Sequence, residues 1–402
     1  MKLKFISITS ILLASSAFTM LPAHAEDVPP VVTALFKNWE AVKVTPTYEK
    51  LDTDSDGNVT ITNLSAMMPS KDAGPEVKFT VDEITLNDVG DEEDGVIKVG
   101  SMKATNSKAE ITTGEGKGMV VEMPEATAEG LRLRLPVDNP TPQQAFLGSY
   151  SMADKATSGA IKLTTMGQTI TSDGYDVTWD GDAATGNGKI NFTLKNIAIP
   201  EAAVAAMDTT GQIKQLGYTN LSFDVTGGAE IKVTDDKFGF TSNITYSGKD
   251  IGAFKLALAA NDVPMAAMAE LQKAQKESRP PDMNSLMPQL MSVSLGNFQV
   301  RFEDASITKK LLPIIAKMQG MDESTMVANA GAMMQLGLMQ LKNQAFTDQV
   351  VGAVNAFLKD PKSLTIAMKP AQPVPVQNLM MLNPADPGAA ITTLGVSVTS
   401  ND

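Results

Sequence analysis

The feature that most restricts how this chain can fold is the alternation of apolar and polar residues along Val77-Lys-Phe-Thr-Val-Asp-Glu-Ile-Thr-Leu86 and the shorter runs around it. A period of two sends every second side chain to one face, so each run reads as a strand with one buried face. Further runs lie at 42–51, 59–64, 96–99, 108–113, 119–123 and 131–135, and after Asn139-Pro-Thr-Pro142 at 159–165, 168–179 and 187–198. Gly, Asp, Asn or Pro separates them, and no segment of crossover-helix length intervenes. Strands joined this way pair antiparallel, because a parallel pair needs a long connection.

Helical spacing enters at defined places. Val32, Leu35, Phe36 and Trp39 share one face of a helix over 30–41, with Pro29 and Pro30 suited to its first turn. Short helices are expected at 142–152 and 200–207. A four-strand meander follows at 221–225, 229–233, 238–246 and 251–258, with turns at Gly227-Gly228, Asp235-Asp236 and Gly248-Lys-Asp250. A helix over 265–277 leads to a polar linker and a strand over 291–302. Ser306 is placed to cap a helix over 307–318 that Gly320 ends. Asp322 is placed to cap the segment to Lys342, and Thr347 a third helix to Lys359, stopped by Pro361. Strands at 364–368 and 392–399 flank a Pro-rich loop at 370–388. The expected class is α+β: long, twisted antiparallel sheets with helices concentrated in the C-terminal third. Residues 26–200 read as a strand-rich region, and 201–402 as a region with a strand meander and a helical block at 306–360.

Residues 1–25 read as a secretory leader. Lys2 and Lys4 form its positive start, Phe5 to Leu21 is uncharged and apolar, and Ala23-His24-Ala25 is a small-x-small cleavage site. A Gram-negative periplasmic location is the expectation, with no transmembrane segment after cleavage. The chain holds no cysteine and one histidine, His24 in that leader. The processed chain would then lack thiolate and imidazole nucleophiles, the Ser-His-Asp triad, Cys/His zinc sites and disulfides. Loss of two lysines takes the basic count from 33 to 31 against 46 acidic residues, a net charge of −15. Such a balance repels nucleic acid and anionic lipid headgroups.

The sharpest local motif is Asp52-Thr-Asp54-Ser-Asp56-Gly57-Asn58-Val59. Oxygen donors at Asp52, Asp54 and Asp56, glycine next and a hydrophobic residue at position eight resemble an EF-hand calcium loop. Position twelve, which needs a bidentate glutamate, is Asn63, and both flanks read as strands. An acidic hairpin turn, with Asp-Gly supplying positive φ, accounts for the same residues. A tentative calcium site therefore comprises Asp52, Asp54, Asp56 and Asn58; no other cofactor is indicated. The acidic run Asp88, Asp91, Glu92, Glu93 and Asp94 reads as a solvated loop. Met265/Met268 and Met318/Met321 have spacings that present thioethers to Cu(I), but the spacing is equally that of helix packing. No carboxylate pair stands out for hydrolytic chemistry, and two Trp with five Tyr are too few for the aromatic girdles of an outer-membrane barrel.

The strand–acidic-turn–strand opening at 48–64 and the C-terminal stretch carry a resemblance. The latter runs Phe302-Glu-Asp-Ala-Ser-Ile-Thr-Lys-Lys-Leu-Leu, then Gln319-Gly-Met321, Ala356-Phe-Leu-Lys-Asp-Pro361 and Leu364-Thr-Ile366, with Pro370 and Pro373 beyond. It resembles the periplasmic YdgA-like proteins of Gram-negative bacteria, and more distantly the strand-rich AsmA-like envelope proteins. The first likeness brings no catalytic residues. The second implies lipid handling along a hydrophobic β-groove, in proteins that usually keep an N-terminal anchor, which this chain is expected to lose. The combined expectation is a non-enzymatic envelope protein that binds an apolar ligand or an envelope partner along a sheet–helix groove lined by helices 307–318, 323–342 and 347–358. The alternative is a secreted calcium-binding module using loop 52–63.

Overall fold

A computed structural model describes residues 28–40, 44–68, 75–112, 118–135, 137, 140–148, 152–277, 279–383 and 386–402. The expected leader and its cleavage site lie outside these residues, as do residue 41 of the expected helix 30–41, 42–43 of the first expected strand and 149–151 of the expected helix at 142–152. The chain divides into two compact units, one of residues 1–186 with 268–281, the other of 187–267 with 282–402.

The first unit opens with helix α1 (Pro30–Glu40). Strands β1 (Thr45–Thr47) and β2 (Lys50–Thr53) share one register against β3 (Val59–Met68), broken at Tyr48-Glu49 where a single strand is expected. A meander then runs through β4 (Glu76–Glu93), β5 (Val96–Thr112) and β6 (Met119–Arg134), every pairing antiparallel. Helix α2 (Pro142–Gly148) precedes β7 (Lys155–Ser158), β8 (Ile161–Thr165), β9 (Gln168–Ser172) and β10 (Gly174–Asp182). Strands β7 and β8 extend the far side of β6, and β10 pairs with β7. The core lies between α1 and one sheet face. Val31, Val32, Ala34 and Phe36 of α1 are buried with Val59, Ile61, Leu64, Leu86, Ile97 and Val99. Burial of each large side chain contributes about 1.5–3 kcal/mol.

Strands β4, β5 and β6 are longer than the sequence runs that make them. The expected strands 96–99 and 108–113 are one strand, as are 119–123 and 131–135, and the acidic run 88–93 belongs to β4, not to a loop. The joins are two rows of irregular residues that cross the sheet. Pairs Thr62↔Glu83, Leu64↔Val81, Thr105↔Glu125 and Ser107↔Met123 bracket a row through Asn63, Asp82, Asn106 and Pro124. Pairs Asn87↔Ser101, Val89↔Val99, Ser101↔Glu129 and Val99↔Leu131 bracket a second through Asp88, Gly100 and Gly130. Asn63 (φ 53°), Asn106 (φ 50°), Asp88 (φ 54°) and Gly130 (φ 61°) adopt left-handed backbone there. Asn, Asp and Gly tolerate that conformation best. The Asn106 amide donates to Asp82 Oδ2 at 2.8 Å, and the Asn63 amide to Glu49 Oε2 at 2.5 Å. Gly100 is needed because a Cβ there would stand 2.7 Å from the Asp88 Cβ.

Each row resets the side-chain phase. Buried positions advance by two along a strand and by three across a row: Val59, Ile61, then Leu64, Ala66; Val81, then Ile84, Leu86; Ala126, Ala128, then Leu131, Leu133. Register is unchanged across each row, because every strand of the row adds one residue of phase together, and these shared resets let 16- to 18-residue strands keep one face on the core. Ordinary strands stop at roughly 10 residues.

The second unit holds β11 (Asn187–Ile199), helices α3 (Glu201–Met207) and α4 (Gln212–Gln215), then β12 (Leu221–Thr234), β13 (Lys237–Gly248) and β14 (Gly252–Pro264). The expected turn at Gly227-Gly228 is instead mid-strand, so two expected strands are one. A Cβ on Gly227 would lie 2.6 Å from both Asn243 O and the Phe192 ring, so glycine serves close approach, not a turn. The turns at 235–236 and 249–251 fall where expected. Helix α5 (Met265–Lys276) follows, its residues from Met268 on belonging to the first unit, and α6 (Met283–Leu290) occupies the expected polar linker, capped by Asp282. Strand β15 (Ser294–Asp304) pairs with β14.

Three helices come next: α7 (Ile307–Met318), α8 (Glu323–Leu338) with a 3-10 turn to Leu341, and α9 (Gln344–Lys359). Strand β16 (Ser363–Met368) returns to β15, as does β17 (Val374–Pro375). Helices α10 (Val376–Met380) and α11 (Pro387–Leu394) lead to β18 (Val396–Ser400) on β16. Both occupy stretches expected as loop and strand. Helices α7 to α11 all lie after residue 306, which makes the protein α+β with large antiparallel sheets.

Two expected caps are corrected. The Ser306 hydroxyl donates to Asp250 O at 2.5 Å and lies 2.9 Å from the Tyr218 hydroxyl; Asp304 Oδ1 accepts from Thr308 N at 2.8 Å instead. Asn343, not Thr347, caps α9, accepting from Phe346 N at 3.0 Å. Thr347 is buried inside the helix and donates to Asn343 O.

Candidate functional site

Residues 54–58 form the hairpin loop between β2 and β3, flanked by strands as the sequence indicates. Asp54 organises it. Its Oδ1 accepts from Asp56 N and Asn58 N, both at 2.9 Å, and its Oδ2 from Asn58 Nδ2 at 2.9 Å. These bonds, the Asn58 side chain foremost, hold the Asp54 carboxyl below its usual range. Gly57 takes φ 83°, and Asn58 Oδ1 accepts from Asp88 N at 3.0 Å, tying the loop to β4. Asp52 faces Lys50 at 2.6 Å. The structure thus brings Asp54 and Asn58 together as an Asx-type turn. It occupies both Asp54 oxygens with the loop's own donors, and gives Asp52 a cation of its own. Among the described residues no group of three or more acidic or histidine side chains is placed to hold a metal ion.

The methionines of these pairs have different surroundings. Met265 is fully buried, Met321 Sδ accepts from Asn329 Nδ2 at 3.4 Å, and Met318 projects into solvent.

The C-terminal helices form a layered arrangement within their unit. Helix α9 lies directly on β16 and β18, and Phe357 meets Phe302 edge to face at 6.1 Å. Helix α8 packs on α9, where Gly331 admits Asn355; a Cβ there would stand 2.9 Å from Asn355 Oδ1. Asp322 anchors the start of α8, accepting from Thr325 N at 2.9 Å, Thr325 Oγ1 at 2.7 Å and Ser324 Oγ at 2.5 Å, bonds that push its carboxyl far down. Between Glu323 and Lys342 the sequence has no charged residue. Met326 and Gly331 are buried, whereas Met333, Leu336 and Met339 are 73%, 69% and 62% exposed. Ala332, Met333, Leu336 and Met339 follow helical spacing, so they share the outward face. At the α7–α8 turn, a shallow depression of about 430 Å³ is lined by Pro313, Ala316, Lys317, Met321, Asp322 and Glu323.

The absence of charge from 324 to 341 was visible in the sequence. That it marks an outward surface was not, because the same composition suits a buried helix. Sequence reasoning also missed the cluster on β15. There Arg301 donates to Glu303, Thr365 and Asp402, and Lys255 Nζ reaches Glu303 at 2.8 Å. Asp402 is 101 residues from Arg301 in sequence. Hydrogen bonds from Thr399 and Arg301 lower the Asp402 carboxyl to about 2.

No helix among the described residues is long and apolar enough to cross a membrane. A family model described as an uncharacterized protein matches residues 245–401, from within β13 to the last strand. No curated protein matches the chain.

Proposed function

We propose that this chain is a non-enzymatic, exported protein of the bacterial envelope that engages an apolar partner through the outward face of α8. The observation that carries the reading is the exposure of Met333, Leu336 and Met339 on a helix uncharged from 324 to 341. Contiguous exposed apolar side chains mark interaction surfaces, and methionine repacks readily around varied partners. Because α9 lies against the sheet, the outward face of α8 is the better docking surface than a groove beneath the helices. The non-enzymatic part rests on the sequence, which has no cysteine, one histidine at position 24 and no motif that names a reaction. Export rests on the leader read in residues 1–25.

Nile red fluorescence on the purified chain tests the docking face. The wild type should enhance the dye, and the double variant Met333→Asp/Leu336→Asp should lose most of that enhancement with unchanged far-UV circular dichroism. Equal enhancement in both proteins would remove α8 as the site. Native mass spectrometry with organic extraction then asks what the chain retains from its own compartment.

A further inference from the structure

From Met283 to Met381 the sequence holds twelve methionines and eleven leucines, side chains of similar volume and apolar character. Their placement differs. Seven of those methionines are exposed, against two leucines, Leu311 and Leu336; Ile366 completes the exposed large apolar side chains of this stretch. Met318, Met333, Met339, Met380 and Met381 are each at least 62% exposed. Filling gaps in a core explains a buried methionine and not these five.

What methionine has and leucine lacks is a sulfur open to two-electron oxidation. The sulfur lone pair takes the terminal oxygen of a hydroperoxide as the O–O bond breaks. The proton on that oxygen passes to the leaving alkoxide or hydroxide. The thioether becomes a sulfoxide, and the peroxide is reduced to an alcohol or water. The product is polar, and methionine sulfoxide reductases reverse it. The chain holds no cysteine, so no thiol of its own competes for the oxidant. Met333 on α8 and Met339 at the start of its 3-10 continuation stand three residues to either side of Leu336. Two sulfoxides there interrupt the outward apolar face on both sides. Met265 and Met326 are buried, so the same oxidant meets them only when the fold opens.

We propose that Met333 and Met339 are sites of reversible oxidation by hydroperoxides, and that their sulfoxides switch the outward face of α8 from apolar to polar. The modification stands on exposure alone; its consequence for binding rests on the reading of α8 as a docking face.

Graded hydrogen peroxide on the full chain, with peptide mapping of the added oxygen and Nile red fluorescence on the same samples, tests this. Met333 and Met339 should oxidise about tenfold faster than Met265 and Met326. Dye enhancement should fall as those two sites fill, to the level of Met333→Asp/Leu336→Asp, with unchanged far-UV circular dichroism. Sulfoxide reductases acting on both epimers should restore it. In Met333→Leu/Met339→Leu, peroxide should leave the dye signal at whatever level that variant starts from. Rates at Met333 and Met339 no greater than at Met265 and Met326 overturn the modification sites. Complete oxidation of both with an unchanged dye signal, or an equal loss in the leucine variant, overturns the switch. If the reduced chain never enhances the dye, the docking reading fails and the switch falls with it, while the mapped rates still decide the sites.

Discussion

Helices α1 and α8 are both rich in apolar residues, yet they meet opposite fates. Helix α1 buries Val31, Val32, Ala34, Leu35 and Phe36 against a sheet of its own unit. Helix α8 buries little beyond Met326 and Gly331 and turns Met333, Leu336 and Met339 outward. The difference lies in what each can pack on. A sheet face presents many side chains to a helix, whereas α8 meets α9, whose other side is already on β16 and β18. Apolar composition sets how much surface a helix would bury; the supply of partners sets how much it does.

The comparison breaks most sharply by truncating each helix. Phe36→Ala should cost about 3–5 kcal/mol of unfolding free energy, while Leu336→Ala should stay within about 0.5 kcal/mol. Urea denaturation measures both, and similar losses would mean that α8 is covered in solution. A step smaller is Asn106→Val, which forces a β-branched residue into left-handed backbone and breaks the bond to Asp82. It should cost about 1–3 kcal/mol, while Asn106→Gly keeps most of that stability. If the two variants melt together, the left-handed row is not what holds the long strands in phase.

Smaller still is the contribution of Asp402 in the second unit. Its carboxyl is about 2 in the folded protein against an ordinary 3.8. A lowered folded value means stability present above the ordinary value and lost as pH falls through the folded one. The window therefore runs from about pH 4 down to about pH 2. Asp402→Asn should flatten the melting-temperature profile in that window and leave its slope unchanged near neutrality. The smallest effect expected is that of calcium. With both Asp54 oxygens engaged in the loop, millimolar calcium should leave the melting temperature where it is. A rise that Asp54→Ala removes would instead establish the calcium reading of Asp52, Asp54, Asp56 and Asn58.

The strand ends read from the sequence coincide with the two irregular rows. The run 59–64 ends beside Asn63, 96–99 stops before Gly100, 108–113 starts after Asn106, 119–123 stops before Pro124, and 131–135 starts after Gly130. Period-two alternation is the signal of a strand, and a phase reset looks locally like its end. Only cross-strand register shows that the backbone continues. Gly227-Gly228 misled for a related reason, since paired glycines signal a turn unless a neighbouring ring needs their space. Local signals served well where the partner is local: Asp322 caps α8 from one residue away, and Gly320 ends α7 at φ 68°. They failed at Ser306, whose hydroxyl is drawn to Tyr218 and Asp250, distant in sequence.

By itself the sequence determined the antiparallel meanders, the α+β class, the late placement of the main helices, the absence of cysteine and the confinement of histidine to His24. These follow from periodicity, turn residues and residue types, which act over a few positions. Tertiary structure decided that short runs fuse into long strands, that loop 54–58 closes on its own carboxylate and that α8 rather than α1 keeps its apolar face in water. Each of those outcomes depends on which surfaces remain to be covered once the sheets have paired, a quantity that no window of the sequence contains.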